Sequence, residues 1–218
     1  MAKPCPRRTA APCEEAVTLG KPEWYVLQVE TGREEKACET VRRACAQADA
    51  LDGAAEPTLV EAFSPTYRSR FKLRGEWHDE ERRLMPGYVV AVTARPGRLA
   101  QALRAAPGFE RLLTAGETYA SLSKDDRAWI ERWTSEGDRV VPLSVAYKEG
   151  DRIVVTEGPL KGREASIVRI RRRQCLAEIE IRAGQLRIRT TVGLAVLPKE
   201  AADDGAGAAG DQTANEQQ

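Results

Sequence analysis

Histidine is nearly absent from this chain: His78 is the single one among 218 residues. The five cysteines, Cys5, Cys13, Cys38, Cys45 and Cys175, are odd in number, and no two have CxxC spacing. A structural zinc needs four nitrogen or sulfur donors, commonly in such pairs, so these shortages argue against a metal site. They also argue against nucleophilic catalysis, because His78 lies in a polar, charged stretch with no serine or cysteine beside it. An enzyme acting on RNA would need a metal cluster or an acid/base pair in a pocket. The acids instead form surface-type runs such as Asp79–Glu81, so neither catalysis nor a cofactor is expected. No apolar run approaches the ~20 residues of a membrane-spanning helix. The first residues are basic but are followed by no apolar run, so no secretory signal is read there. The expectation is a cytoplasmic chain with free thiols and no membrane contact.

What is present is charge, unevenly spread. Residues 147–199 hold 12 Lys and Arg against 6 Asp and Glu, whereas residues 200–218 hold 5 acids and no base. A basic C-terminal region followed by an acidic tail suits either nucleic-acid attraction or a solvated face. Residues 1–21, rich in Ala, Pro and Arg, read as a flexible lead-in, and 199–218 as a disordered acidic tail.

Between these ends the pattern resolves into elements. Trp24 to Glu30 reads as a strand and Glu34 to about Ala48 as a helix, with Ala37, Val41, Ala44 and Cys45 at helical spacing. Thr58 to Ser64 reads as a strand. Tyr67 to Leu73 alternates, with Tyr67, Ser69, Phe71 and Leu73 on one face and Arg68, Arg70, Lys72 and Arg74 on the other. Gly75-Glu76 signals a turn, and Glu80 to Leu84 reads as the return strand. Tyr88 to Thr93 is a continuous apolar strand of the buried kind. Helices are expected from Pro96 to Ala105 and from the N-cap Ser123 to Gly137, with an edge strand at Glu110 to Leu113 between them. This order suits an α+β fold, a ferredoxin-like antiparallel sheet with helices on one face. Residues 138–147, with Pro142, read as a linker. Beyond Lys148, short alternating strands at 151–156, 164–170, 176–181 and 186–192 suggest a small β-barrel. The expected division is therefore 22–137, a linker at 138–147, and 148–198.

Three segments, in this order, resemble the NusG family of transcription elongation factors. The first is Trp24-Tyr25-Val26-Leu27-Gln28-Val29 with Gly32, Arg33, Glu34 and Glu35. The second is Leu84-Met85-Pro86-Gly87-Tyr88-Val89-Val90, similar to the family's Phe-Pro-Gly-Tyr-Val stretch. The third is Glu149-Gly150-Asp151-Arg152-Ile153-Val154-Val155 through Gly158-Pro159-Leu160-Lys161-Gly162, which resembles the start of a KOW motif. The resemblance spans residues 22–198. It implies an NGN-type N-terminal domain followed by an SH3-like KOW barrel. Met85 stands where the family usually has Phe, and Ala165 where many KOW motifs have Gly. The loop Lys161-Gly162-Arg163-Glu164 lacks the aromatic with which general members touch protein partners. Among subfamilies the chain looks closest to specialised LoaP-like antiterminators, through its Pro-Leu-Lys-Gly-Arg-Glu run and the arginines after Ile170.

The resemblance implies docking on the clamp helices of RNA polymerase through an apolar face, for which Tyr67, Met85, Tyr88 and Tyr147 are the candidates. The alternative is that these side chains fill the core, which is the favoured reading for Phe71. Arg68, Arg70, Lys72 and Arg74, and then Arg169, Arg171, Arg172 and Arg173, are candidates for RNA contact, because such stripes can track phosphates. Against this, Glu76, Asp79, Glu80 and Glu81 balance the first set. The resulting expectation is a monomeric antitermination factor that promotes processive elongation, with nascent RNA as a further partner. The other reading is a general factor whose barrel contacts Rho or a ribosomal protein.

Overall fold

The computed structural model describes residues 20–53, 55–104, 111–112, 114–115, 118–150 and 152–197. Residues 1–19 of the expected lead-in, residue 198, the whole expected tail 199–218, and residues Glu110 and Leu113 of the expected edge strand lie outside the described residues.

The N-terminal part runs β1 (Glu23–Gln28), α1 (Glu34–Asp52), β2 (Glu61–Phe63), β3 (Thr66–Leu73), β4 (Glu76–Arg83), β5 (Tyr88–Thr93), α2 (Pro96–Arg104), β6 (Arg111–Leu112), β7 (Thr114–Ala115), β8 (Thr118–Tyr119), α3 (Lys124–Trp133) and β9 (Val140–Val141). The C-terminal part holds β10 (Ser144–Glu149), β11 (Arg152–Glu157), β12 (Ile167–Arg171), β13 (Leu176–Ala183) and β14 (Leu186–Leu197), with 3-10 turns at Glu164–Ser166 and Arg172–Gln174.

The main sheet has the order β2-β5-β1-β6, all antiparallel. Both faces of its central strands are buried, and the alternation of β1 and β5 divides the core in two. Leu27, Val89 and Ala91 join Ala37, Cys38, Val41 and Cys45 of α1 and Leu99 and Leu103 of α2. Trp24, Val26, Val90 and Val92 belong instead to a larger cluster with Trp129 and Ile130 of α3. The α+β plan expected from the sequence is the one observed, but α3 joins the cluster opposite α1 and α2. Its start is as expected: Asp126 N–H donates to Ser123 Oγ at 3.1 Å. It ends at Trp133 rather than Gly137, because Thr134 is already extended.

The hairpin β3–β4 is longer than expected. Arg74 (φ 52°) and Gly75 (φ 94°) form a two-residue turn that sets Leu73 opposite Glu76 and keeps register to Thr66 opposite Arg83. Residues 138–147, read from the sequence as a linker, are not featureless. Val140 and Val141 pair in parallel with Thr66 and Tyr67, and β10 begins at Ser144. Arg139 anchors this stretch, with its guanidinium bonded to the Glu61 carboxylate and stacked 4.7 Å from the Phe63 ring centroid.

The C-terminal strands form a half-barrel of order β11-β10-β14-β13-β12, antiparallel except for β10 with β14. Its apolar residues Leu160, Ile179, Ile181 and Leu194 are in the same cluster as Trp24 and Val26, so one core runs through both parts of the chain.

Candidate functional site

The segment Leu84–Tyr88 turns the chain from β4 into β5. Tyr88 N–H donates to Met85 O at 3.1 Å, and Gly87 takes φ 79°. A side chain at Gly87 would be strained by that φ and would crowd Thr31 Oγ1 at 3.0 Å. The turn is clamped from below by Glu34, whose carboxylate accepts from Gly87 N–H (2.8 Å) and Gly32 N–H (2.9 Å). Burial pushes the Glu34 carboxyl up, but these backbone donors, its own N–H and the Arg83 charge outweigh that and hold it below its ordinary value. The second motif of the sequence is thus tied to the first.

The turn delivers Leu84 and Met85, both fully buried, beside Tyr67, which is 1% exposed; half-buried Tyr88 packs against the same cluster. Three of the four candidate docking residues are therefore brought together. Tyr147 is not in that cluster; it lies half-buried in β10 of the half-barrel.

What covers this face is the half-barrel. Tyr67 Oη hydrogen-bonds to Thr191 Oγ1 at 2.7 Å, and Thr190 Oγ1 donates to Leu84 O. β14 approaches β3 so closely that a Cβ on Gly193 would lie 2.1 Å from the Arg68 carbonyl oxygen. A second seam joins the half-barrel to α3. Leu122 N–H donates to Trp24 O at 2.8 Å on one side. On the other, Ser123 N–H donates to Arg182 O at 2.8 Å and Gly184 N–H to Ser121 O at 2.9 Å. Trp129 Nε1–H donates to Pro159 O at 2.7 Å. Arg163 bonds Asp126 at 2.7 Å while stacking 5.1 Å from the Trp129 centroid, and Asp126 also accepts from Arg182 N–H at 2.8 Å.

Apart from Tyr67 and Arg68, none of these seam residues is a candidate from sequence, but Gly193 carries a signal. It sits inside a strand with no turn to make, which is where a glycine marks close approach of another backbone.

The basic candidates divide by pairing. On the hairpin, Arg70 meets Asp79 at 2.7 Å and Arg68 meets Glu81 at 3.5 Å. Arg171 bonds Glu178 at 2.6 Å. Lys72, Arg74, Arg169, Arg172 and Arg173 have no acidic partner among the described residues. Lys72 Nζ instead lies 5.8 Å from the centroid of Trp77. No group of three or more His, Cys, Asp or Glu that could hold a metal occurs among the described residues. No described helix is long and apolar enough to cross a membrane.

A family model described as transcription termination factor NusG matches residues 22–131, half of the chain. No curated protein matches it. Among solved structures, one described as "Domain interaction in Thermotoga maritima NusG" is similar at 16% identity and a TM-score of 0.46, over 79% of this chain and 94% of that one. The matched span covers both clamped motifs and the sheet that carries them, and on that match the chain belongs to the NusG family of transcription factors.

Proposed function

We propose that the chain is a specialised antitermination factor that docks on the clamp of RNA polymerase through Tyr67, Met85 and Tyr88, with Tyr147 contributing from the half-barrel. In this reading it promotes processive elongation as a monomer in the cytoplasm, with an NGN-type unit at 22–137 and a KOW-type unit at 148–198. The observation that carries the proposal is the cluster beneath the half-barrel, where the Leu84–Tyr88 turn places an aromatic and a thioether side by side on one sheet face. Such residues suit an interface core. RNA contacts are assigned to the basic sets Arg68, Arg70, Lys72 and Arg74 and Arg169, Arg171, Arg172 and Arg173.

The alternative is a general elongation or termination factor whose barrel meets Rho or the ribosome. The loop at Lys161–Glu164 favours the specialised role. It offers no aromatic, and its Arg163 is committed to Asp126 and Trp129.

The test is binding of the full chain to core RNA polymerase, with Tyr88→Ala as the probe, since Tyr88 is half-buried and its loss leaves the covered core in place. Micromolar binding that weakens at least tenfold in a still-folded Tyr88→Ala chain supports the docking face. Absence of binding by the wild type, and also by a chain opened at Gly193, would refute it.

A further inference from the structure

The two basic sets, far apart in sequence, meet in space. The 3-10 turn Arg172–Gln174 packs against β3. The contact runs along that strand: Gly193 lies at Arg68, and Cys175, next in chain after the turn, feels the Arg70 charge. β9 pairs β3 only at Thr66 and Tyr67, so the rest of that strand edge is left to the half-barrel. The hairpin end beyond holds Lys72, Arg74, Leu73 and Trp77, the last two 53% and 52% exposed. The two elements that meet here carry four cations with no ion-pair partner among the described residues, Lys72 and Arg74 of the hairpin and Arg172 and Arg173 of the turn. The half-exposed Trp77 indole has Lys72 Nζ 5.8 Å from its ring centroid.

We infer that the hairpin end and the Arg172–Gln174 turn form one composite surface for single-stranded nucleic acid, complete only while the half-barrel is docked. This rests on the RNA contacts proposed above and changes their form from two separate stripes to one junction. The chemistry fits a single strand better than a duplex. Unpaired bases have open faces, and Trp77 offers a stacking platform with cations beside it for the flanking phosphates. A duplex would present only its backbone to the indole. Docking also covers Tyr67 and Met85, so nucleic acid held here favours the docked arrangement and opposes the polymerase by linkage.

The experiment is fluorescence anisotropy of labelled rU12 and dT12 titrated with the full chain across a salt series. Four phosphate contacts to a single strand give a log K against log salt slope of about −3. Lys72→Ala/Arg74→Ala and Arg172→Ala/Arg173→Ala should each bring it to about −1.5, and Trp77→Ala should weaken binding roughly 5- to 150-fold. The decisive variants remove none of the four cations. Gly193→Ala and Asp126→Asn loosen the docking from opposite sides, and each should lower the slope as a double cation variant does. Preference for rU12 assigns RNA, and equal binding assigns a strand read by stacking and backbone alone; both support the surface. If the loosened variants, shown undocked by fast exchange of the Ser123 and Gly184 amides, still bind with the full slope, the composite is overturned and one part binds alone. A wild type that binds polymerase but neither oligonucleotide overturns this inference while leaving the docking face intact.

Discussion

Gly193→Ala is the sharpest perturbation available. The added Cβ would lie 2.1 Å from the Arg68 carbonyl oxygen, 2.6 Å from Leu143 Cδ1 and 3.1 Å from the Arg68 carbonyl carbon. Two of the three obstacles are backbone, and Arg68 is held in the β3–β4 ladder opposite Glu81, so it cannot rotate away as a side chain could. The clash must be relieved by moving β14 away from β3. Overpacking of this kind costs about 1–3 kcal/mol, which shifts the docked-to-undocked ratio roughly 5- to 150-fold. Amide exchange measures it directly. The Ser123 and Gly184 N–H groups, which donate across the seam, should exchange faster by that factor, while α1 and the β1–β5 ladder keep their protection. If docking hides the polymerase face, the apparent polymerase affinity should rise by a similar factor. Unchanged seam amides would refute the reasoning, by showing that β14 absorbs the methyl locally. Uniformly faster exchange everywhere would refute it differently, by showing that the shared core has no separate opening.

Other outcomes follow from the same contacts. Trp129→Phe removes the Nε1–H bond to Pro159 O and should cost about 1 kcal/mol, a fall in Tm of roughly 2–4 °C by calorimetry. Asp126→Asn weakens its bonds to Arg163 and Arg182 N–H and should cost about 1.5–3 kcal/mol in urea unfolding. Glu34 has a folded pKa below its unfolded one. Its stabilisation is therefore complete above the unfolded value of about 4.3 and is lost as pH falls through the folded value. Glu34→Gln should destabilise the chain at neutral pH and flatten that acid limb in a denaturation series. Burial pushes the Cys38 and Cys45 thiols up to about 11, so at pH 8 both should remain unalkylated in the native chain and react on unfolding, as read by mass spectrometry.

Much of the fold was legible because its signals are local. Tyr88 to Thr93 reads as a two-sided buried strand, and it lies in the middle of the sheet between β1 and β2. Of the α1 face read at Ala37, Val41, Ala44 and Cys45, all but the half-buried Ala44 are buried, and Cys38 joins them. The hairpin return reads too short in the sequence because Glu76, His78 and Asp79 are polar and Trp77 stands alone among them; the Arg74–Gly75 turn and cross-strand ion pairs, rather than hydrophobicity, extend it. The stretch at 138–147 misled because Pro142 only separates two short strands. The site was half legible. The motif at Leu84–Tyr88 pointed to the face, but what covers it depends on partners such as Thr190 and Thr191, more than a hundred residues from Leu84 and Tyr67. No periodicity links positions so distant.

The order in which the chain is made gives the seam a temporal meaning. Residues Ser121–Ser123 pair with β1 on one side and wait for β13 on the other. About 60 residues of synthesis separate Leu122 from its bridge partner Ala183. At roughly 5–20 residues per second, that leaves about 3–12 s in which the first part of a nascent chain can fold with its apolar face still bare. Each molecule thus passes once through an uncovered youth, and whatever meets it on the ribosome in those seconds meets a surface that the docked half-barrel later covers.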